Sequence, residues 1–204
     1  MRLSQQSFGV STQTSTGVQE GARMSGSADP PSLGLARGQV RLAEPTPHWA
    51  ALYEEEEARL ARALAEYRPA LAHCGSTSVP ELPAKPILDV LVGVPTAIDV
   101  AGLARALAPL GYEHAPWAGV PGHEVFGRGQ PRTHLLHVVP AGGPAWARML
   151  RFRDALRADA ALATEYAALK RALAARHPED RAAYTDAKGA FIARVLAAPD
   201  APAG

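Results

Sequence analysis

The chain has 204 residues, 47% of them hydrophobic, which is enough for one buried core and further segments outside it. Its 21 basic and 20 acidic side chains leave a net charge of +1, so no global field attracts nucleic acid or anionic lipid. Cys74 is the only cysteine, which excludes an intramolecular disulfide and a cysteine-based zinc cluster and favours a reducing compartment. Because there is no apolar run of about 18 residues and no export signal near the start, the sequence predicts a soluble, cytoplasmic protein without a nucleic-acid or membrane partner.

Residues 1–38 are rich in Ser, Thr, Gln and Gly, and their isolated apolar side chains cannot form a buried face. We predict a disordered tail over residues 1–38, followed by one domain over residues 39–199. Met1 and Met24 are both compatible with the start of translation, since a polar Ser-Gly-Ser stretch follows Met24.

Thr46 and Pro47 suit the N-cap and first position of a helix, and apolar residues then recur at helical spacing. We predict one amphipathic helix from there to about Ala70. A short strand through His73 follows, then a loop rich in Gly, Ser and Pro, then a buried strand in the apolar run from Pro86 to Val94. Strand, exposed loop and buried strand in succession are typical of an active-site edge.

A second helix is predicted over residues 98–110, because apolar residues keep helical spacing there and Gly111 is a C-terminal stop signal. Two strands and a turn are predicted between Tyr112 and Pro140. Helical periodicity returns from Pro144 onward, and Pro178 separates the last two helices. The predicted fold class is therefore α+β, with a small mixed β-sheet packed against helices and followed by a C-terminal helical part.

The segment Gly75-Ser76-Thr77-Ser78 follows the first predicted strand, so backbone amides and three hydroxyl groups could converge on an anion there. A glycine at this point lets the backbone approach a phosphate closely. Taken alone, the same four residues would also suit an ordinary polar turn between strands. The residues that follow decide between the two interpretations.

Lys85 comes just before the next strand, and Asp89 stands inside its apolar run. A carboxylate in a buried strand is costly unless something pairs with it. Two partners suit Asp89: a salt bridge with a nearby Lys or Arg, or a hard cation such as Mg²⁺ whose remaining ligands are bound phosphates. The residues alone favour the salt bridge.

The later strand carries His134 and His137, which an alternating strand directs to opposite faces. At most one of them therefore faces a site. A histidine between apolar residues is more often structural than a ligand. Imidazole suits Zn²⁺ or Mn²⁺ better than Mg²⁺, so a metal site made of Asp89 and His137 would have an altered preference.

The C-terminal helices carry side chains that could form a basic and aromatic wall for nucleotide phosphates and a base. They are Arg153, Arg157, Tyr166, Lys170 and Lys188. Acidic residues interleave with them and could neutralise each one at the surface. Cys74 has no established cationic neighbour that would lower its pKa, so it is predicted to be a small core residue.

The segment His73-Cys74-Gly75-Ser76-Thr77-Ser78-Val79-Pro80, followed by Ala84-Lys85-Pro86-Ile87-Leu88-Asp89, resembles the GrpB family, also called UPF0157. The resemblance extends to residues 152–157 and 165–170 and so covers the ordered chain, including Arg153 and Lys170. GrpB proteins resemble the nucleotidyltransferase superfamily, whose pattern is Gly-Ser at a strand end and two carboxylates one residue apart on the next strand. The resemblance implies that Gly75 and Ser76 hold a nucleotide phosphate and that Asp89 ligates Mg²⁺ or Mn²⁺. It also favours His137 over His134.

Two positions depart from the pattern that the resemblance implies. Leu91 stands where the enzymes have the second carboxylate, and Glu81 stands where GrpB proteins usually have glycine. The leading expectation is binding of a nucleotide or other phosphorylated small molecule, with metal-dependent nucleotidyl or related transfer in which Asp89 and His137 take part. Gly75, Ser76, Thr77, Ser78, Lys85, Arg153 and Lys170 would bind the ligand.

The alternative expectation is a non-catalytic accessory domain for a protein partner. GrpB-like domains also follow dephospho-coenzyme A kinase, and that resemblance implies a role in folding or regulating the kinase. The chain has no Gly-x-x-x-x-Gly-Lys-Ser/Thr motif, so it lacks that kinase's usual phosphate loop. A resistance transferase of the aminoglycoside type ranks lower, because it requires the acidic pair.

Overall fold

A computed structural model describes residues 33–95, 97–116 and 122–198. Within these ranges the chain forms five strands and six α-helices. The strands are β1 (Ala70–Cys74), β2 (Leu88–Val94), β3 (Tyr112–His114), β4 (Glu124–Arg128) and β5 (His134–Pro140). The helices are α1 (His48–Ala63), α2 (Val100–Leu107), α3 (Pro144–Ala158), α4 (Ala160–Arg176), α5 (Arg181–Asp186) and α6 (Gly189–Ala197).

The five strands form one mixed sheet in the order β1-β2-β5-β4-β3. β2 and β5 are parallel, and the other three neighbouring pairs are antiparallel. β2 is apolar on both sides because helices cover both faces of the sheet, and six of its seven residues are buried. The predicted α+β class with a small mixed sheet is confirmed.

One face of the sheet packs against α1 and α2, where Leu60, Leu64 and Leu103 meet Val90 and Val92 of β2. The opposite face packs against α3. There the ring of Trp146 lies over Gly93, and a Cβ added at Gly93 would come within 2.8 Å of that ring. Alternate residues of β2 therefore contribute to two different cores, and the single carboxylate of the strand belongs to the α3 side.

The C-terminal helices form a further core with the loop between β1 and β2. Val79 and Leu82 of that loop pack against Leu156, Tyr166 and Phe191. Tyr166 stacks on Phe191 with ring centroids 4.8 Å apart. This packing fixes α4 and α6 above the end of β1, where the candidate site lies.

Helix α1 is shorter than predicted. It begins at His48, whose backbone amide donates to the Thr46 hydroxyl at 3.2 Å, and it ends at Ala63 rather than near Ala70. A 3₁₀ turn, Ala65–Tyr67, and a left-handed Arg68 follow. The apolar spacing continues through this tighter turn because its side chains stay on the core side, and so periodicity alone overestimates the helix.

Two further boundaries differ from prediction. β3 was missed, since a three-residue strand carries too little alternation to stand out, so the segment before the β4–β5 turn holds one more strand than expected. The expected tail of residues 1–38 is wrong for residues 33–38, because Leu35 is 2% exposed and pairs with Arg132 by backbone hydrogen bonds. The rest of that expected tail, residues 1–32, lies outside the described residues.

The chain after Pro178 divides into two helices rather than one. α5 ends at Asp186 and α6 begins at Gly189, with Lys188 at its N-cap position. The Asp180 carboxylate caps α5 by accepting from the amide of Ala183 at 2.9 Å. Lys188 therefore lies in the short connection between α5 and α6. No described helix has the length and apolar character needed to cross a membrane.

Candidate functional site

The Asp89 carboxylate lies on the α3 side of the sheet and is bound to His137. In the β2–β5 register Leu91 stands opposite His137, so Asp89, two residues before Leu91, shares a face with the imidazole. His137 Nε2 donates to Asp89 Oδ1 at 3.1 Å. The Asp89 side chain is 27% exposed, whereas that of His137 is 8% exposed. The pair is thus open to solvent on the carboxylate side.

His134 occupies the opposite face, as the three-residue spacing predicts. It contacts Arg128, whose guanidinium binds the buried Glu56 carboxylate with two hydrogen bonds of 3.0 and 2.8 Å. Tyr112 donates a third hydrogen bond to Glu56 at 2.9 Å. Burial, then the charges of Arg128 and Arg59, lower the His134 pKa to about 3. This network holds α1 on the sheet and lies away from the Asp89 site.

Gly75 brings the loop into contact with the Asp89 carboxylate. Its φ of +67° and ψ of −172° belong to a region that only glycine adopts without strain. A Cβ added there would lie 2.5 Å from Asp89 Oδ2, which is closer than real Cβ contacts occur. The glycine is therefore required by the backbone conformation and by the carboxylate, and the loop backbone forms one wall of the site.

The hydroxyl groups after Gly75 have different surroundings. Ser76 is partly exposed, whereas Thr77 and Ser78 are buried. The Thr77 hydroxyl is 3.0 Å from His73 Nε2, and the Ser78 hydroxyl donates to the Gly75 carbonyl at 2.6 Å. Gly75 and Ser76 are thus the exposed part of the loop, whereas the hydroxyls of Thr77 and Ser78, also predicted to bind a ligand, contact His73 and Gly75 and hold the loop in shape.

Two arginines of α3 hold the same loop from outside. Arg153 donates to the His73 carbonyl at 2.9 Å and binds the Asp154 carboxylate at 2.7 Å. Arg157 donates twice to the Ser78 carbonyl, at 2.9 and 2.7 Å. Arg153 is predicted to bind the ligand; in the structure its guanidinium, like that of Arg157, satisfies a backbone carbonyl and positions the loop.

Lys85 does not form a salt bridge with Asp89, although the residues alone favour a nearby Lys or Arg as the partner of this carboxylate. Within the described ranges, His137 is the only ionisable partner within 4.0 Å of the Asp89 carboxylate. Burial raises the Asp89 pKa, but His137, Lys85 and Arg181 outweigh that effect and leave the pKa below its usual value. The carboxylate is thus ionised and surrounded by positive charge that does not contact it directly.

Four cationic side chains surround Asp89 and act on one another electrostatically: Lys85, Lys170, Arg181 and Lys188. Lys85 Nζ and Lys188 Nζ lie 5.5 and 4.4 Å from the centre of the Tyr184 ring. Burial, followed by Arg181 and Lys188, lowers the Lys85 pKa to about 7, and burial chiefly lowers that of Lys188 to about 8. These shifts reflect cations held together in a partly desolvated place.

Lys170 is the deepest of the four, with 2% of its surface exposed. Its ammonium donates to the Pro83 carbonyl and lies 5.4 Å from the centre of the Tyr166 ring. Burial, together with Lys188 and Lys85, holds its pKa well below the usual value. Lys170 therefore contributes to the potential of the site from below and is not placed to touch a ligand.

The expected divalent metal has few protein ligands at this place. Among the side chains described, no three of the His, Cys, Asp and Glu residues are arranged to share a metal ion. Leu91, at the position of the expected second carboxylate, is fully buried. The donor set does not fit a metal held by the protein alone, and a cation at Asp89 would need ligand oxygens to complete its shell.

Sequence reasoning missed two members of the site. Arg181 opens α5, and Tyr184 lies one turn later with its ring between Lys85 and Lys188. The Tyr184 hydroxyl is buried without a hydrogen-bond partner in the described structure. A short helix after a proline carries no motif, so no local signal could have identified these residues. Cys74, expected in the core, is buried against Leu91.

Comparison with known proteins agrees with this architecture. The GrpB protein family profile matches residues 39–198. The glutamate-rich protein GrpB of Alkalihalophilus pseudofirmus is 34% identical over 170 residues, covering 80% of this chain and 98% of that protein. The UPF0157 protein YqkA of Bacillus subtilis is 39% identical over 145 residues, covering 71% of this chain but only 42% of YqkA.

A solved structure shows the same fold. The crystal structure of conserved protein GrpB from Enterococcus faecalis matches with a TM-score of 0.69 and 36% identity, covering 76% of this chain and 94% of that one. The mixed sheet, with a carboxylate and histidine beside a glycine loop, defines an α+β protein with one polar site where β1 ends and β2 begins. The family follows from the matches: the chain belongs to the GrpB family.

Proposed function

We propose that the chain binds the phosphate of a small molecule, such as a nucleotide, between the Gly75-Ser76 loop and the cations around Asp89. The observation that carries the proposal is the charge imbalance of the site. Lys85, Arg181 and Lys188 make no side-chain hydrogen bond to, and no ion pair with, any residue of the described structure. One carboxylate stands against Arg181 and three lysines, and the pKa of each lysine is lowered.

Cations held together without partners destabilise the free protein. An anion placed among them removes the repulsion and gains several charge-assisted hydrogen bonds at once. The exposed backbone amides of the loop offer further donors of the kind that cradle phosphates. A phosphate suits the site better than a carboxylate because it carries two negative charges and three terminal oxygens to share among Lys85, Lys188 and Arg181.

Asp89 and His137 would then face the ligand next to its phosphate. An ionised carboxylate can accept a hydrogen bond from a ligand hydroxyl, or it can share a divalent cation with phosphate oxygens. The resemblance to nucleotidyltransferases extends the proposal to transfer chemistry with Mg²⁺ or Mn²⁺. Because Leu91 replaces the second carboxylate, that finer proposal requires the ligand to supply most of the metal's oxygens.

The test is a thermal-shift titration of the full chain with inorganic phosphate, ATP, CTP, GTP and coenzyme A, each with and without Mg²⁺ or Mn²⁺. A ligand that binds only the native state raises the melting temperature. We expect a shift that falls between pH 7 and pH 9, as Lys85 and Lys188 lose their charges. Asp89→Asn should remove any part of the shift that depends on the metal.

Arg181→Met provides a sharper test, because removing one cation should move two readings in opposite directions. The free variant should melt at a higher temperature, since repulsion is relieved, while its ligand-induced shift should shrink. Arg105→Met is the matched control, because Arg105 is exposed on α2 on the far face of the sheet. If Arg181→Met behaves like Arg105→Met, the proposed site is wrong. A flat titration with every ligand would instead favour the accessory role for a partner such as dephospho-coenzyme A kinase.

A further inference from the structure

The lysines of this chain are distributed unlike its arginines. Of its 21 basic residues, 18 are arginine and only three are lysine: Lys85, Lys170 and Lys188. All three belong to the cluster around Asp89, and each acts electrostatically on another member of it. Lys170 is buried, and Lys85 and Lys188 are partly buried.

Arginine and lysine differ in one property that matters here. A guanidinium keeps its proton in proteins, whereas an ammonium can lose it and become a nucleophilic amine. Arginine serves throughout this chain wherever a positive charge or a fork of hydrogen-bond donors suffices, as Arg128, Arg153 and Arg157 illustrate. The presence of lysine at only these three positions therefore favours a role that needs an amine.

Lys85 is the lysine best placed to act as a nucleophile. Lys170 is buried and its ammonium donates to the Pro83 carbonyl, so its nitrogen is engaged. Lys188 Nζ lies closer to the centre of the Tyr184 ring than Lys85 Nζ does, at 4.4 against 5.5 Å. Lys188 is also the N-cap residue of α6. Lys85 is partly exposed and, within the described residues, has no hydrogen bond or ion pair through its side chain.

We propose that Lys85 is a carbonyl-reactive amine that forms a Schiff base with an aldehyde or ketone carried by a phosphorylated ligand. The inference rests on the proposed phosphate site, in which Arg181 and Lys188 hold the anion. The neutral Nζ attacks the carbonyl carbon to give a carbinolamine. Loss of one water then leaves the imine, so neither an oxidant nor a reductant is needed.

The surroundings of Lys85 supply the neutral amine. Arg181 and Lys188 act on it from the C-terminal helices, Asp89 acts on it with opposite sign from β2, and Lys170 lies in the same field. With the Lys85 pKa lowered to about 7 by burial and these cations, about half of the amine is neutral at pH 7. A lysine of ordinary pKa, near 10.4, would be neutral in only about one molecule in a few thousand.

The probe is pyridoxal 5′-phosphate, which carries an aldehyde and a phosphate. The full chain is incubated with it at pH 7, reduced with borohydride to fix the imine as a secondary amine, digested, and mapped by mass spectrometry. Only the three lysines and the N-terminal amine can react. We expect the adduct at Lys85 to form at least severalfold faster than any other. Equal labelling of all amines, or a main adduct at Lys188, Lys170 or the N-terminus, overturns the proposal.

Variants separate the amine from the anion site. Lys85→Arg keeps a positive charge and removes the nucleophile, so it should lose the adduct. Arg105→Met, at an exposed position of α2 on the far face of the sheet, is the control and should keep the Lys85 adduct. In the unaltered chain, inorganic phosphate and pyridoxine 5′-phosphate, which lacks the aldehyde, should slow labelling by competition, so the result does not depend on any variant folding.

The outcomes distinguish this inference from the function on which it rests. A phosphate-induced shift without an adduct refutes the reactive amine and leaves the phosphate site standing. An adduct at Lys85 that forms equally fast with pyridoxal, which has no phosphate, and that phosphate does not slow, refutes the phosphorylated ligand. If neither a thermal shift nor an adduct is observed, both the phosphate site and the reactive amine are refuted.

Discussion

Replacement of Gly75 by alanine tests whether the loop and the Asp89 carboxylate are in contact. The new methyl group would lie 2.5 Å from Asp89 Oδ2 and 2.9 Å from Asp89 Cβ, so the carboxylate must move. Because the other carboxylate oxygen accepts from His137 at 3.1 Å, movement of Asp89 also disturbs that hydrogen bond. The change therefore acts on the backbone and on the dyad together.

The two effects have separate magnitudes. The Gly75 backbone, with φ +67° and ψ −172°, costs a non-glycine residue about 1–3 kcal/mol. Loss of a hydrogen bond to a charged group costs a further 1.5–3 kcal/mol or so. We expect Gly75→Ala to lower the free energy of unfolding by about 2.5–6 kcal/mol in total.

Urea denaturation followed by tryptophan fluorescence measures the loss, and a double-mutant cycle separates its parts. In an Asp89→Gly background both the carboxylate and the Cβ of residue 89 are absent, so Gly75→Ala should cost only the backbone contribution of about 1–3 kcal/mol. Gly142→Ala is the control for left-handed backbone without a clash, since Gly142 has φ +68° and nothing within 4 Å of an added Cβ. An equal cost of Gly75→Ala in both backgrounds would refute the contact between loop and carboxylate.

Three other properties of the chain lead to predictions. Glu56→Gln should destabilise the fold by about 3 kcal/mol in urea denaturation, because it removes one charge of a buried pair, whereas the neighbouring exposed Glu55→Gln should have little effect. Acid should destabilise the protein below pH 6.5, because the pKa values of His73 and His134 are lowered to about 4 and 3, and the unfolded chain therefore binds protons first. Conversely, the ligand-free chain should gain stability between pH 7 and pH 10, because the Lys85 pKa of about 7 lies below that of an unfolded lysine. Melting temperatures measured across the acid and alkaline ranges test these two trends.

Each of these has an outcome that contradicts it. Equal midpoints for Glu56→Gln and Glu55→Gln would mean that the buried carboxylate does not hold α1 on the sheet. A flat melting temperature from pH 6.5 to pH 4 would mean that neither histidine is buried in its neutral form. For the alkaline range the control is Lys85→Met, which should show a smaller rise than the unaltered chain.

The sequence predicts the elements around the site well and the contacts within it poorly. The β1–loop–β2 order and the opposite faces of His134 and His137 follow from strand alternation and hydrophobic pattern, which are local signals. The pairing of Asp89 with His137 joins residues 48 apart in the chain, and only the parallel register of β2 and β5 brings them together. The sequence alone favours a salt bridge between Asp89 and a nearby Lys or Arg.

The cations show the same limit more strongly. Arg153 and Lys170 fit a ligand-binding wall by composition, but one satisfies a backbone carbonyl of β1 and the other is buried. Arg181 enters the site from a six-residue helix whose position depends on packing of the C-terminal part. Tertiary contacts decide whether a guanidinium binds a carbonyl, a carboxylate or no protein group. The hydrophobic periodicity of a single sequence carries no information on these contacts.

The site is formed by two parts of the chain, the strand region and the C-terminal helices on either side of the break between α5 and α6. Strands β2 and β5 contribute Asp89 and His137, and the loop before β2 contributes Lys85. Lys170 of α4, Arg181 of α5 and Lys188 just before α6 all come after Ala158. An anion bound between these two parts would link them, and its binding free energy would stabilise the C-terminal helices against local unfolding. Hydrogen exchange in α5 and α6 should therefore slow on ligand binding more than exchange in β2, so the helices rather than the strands would report occupancy.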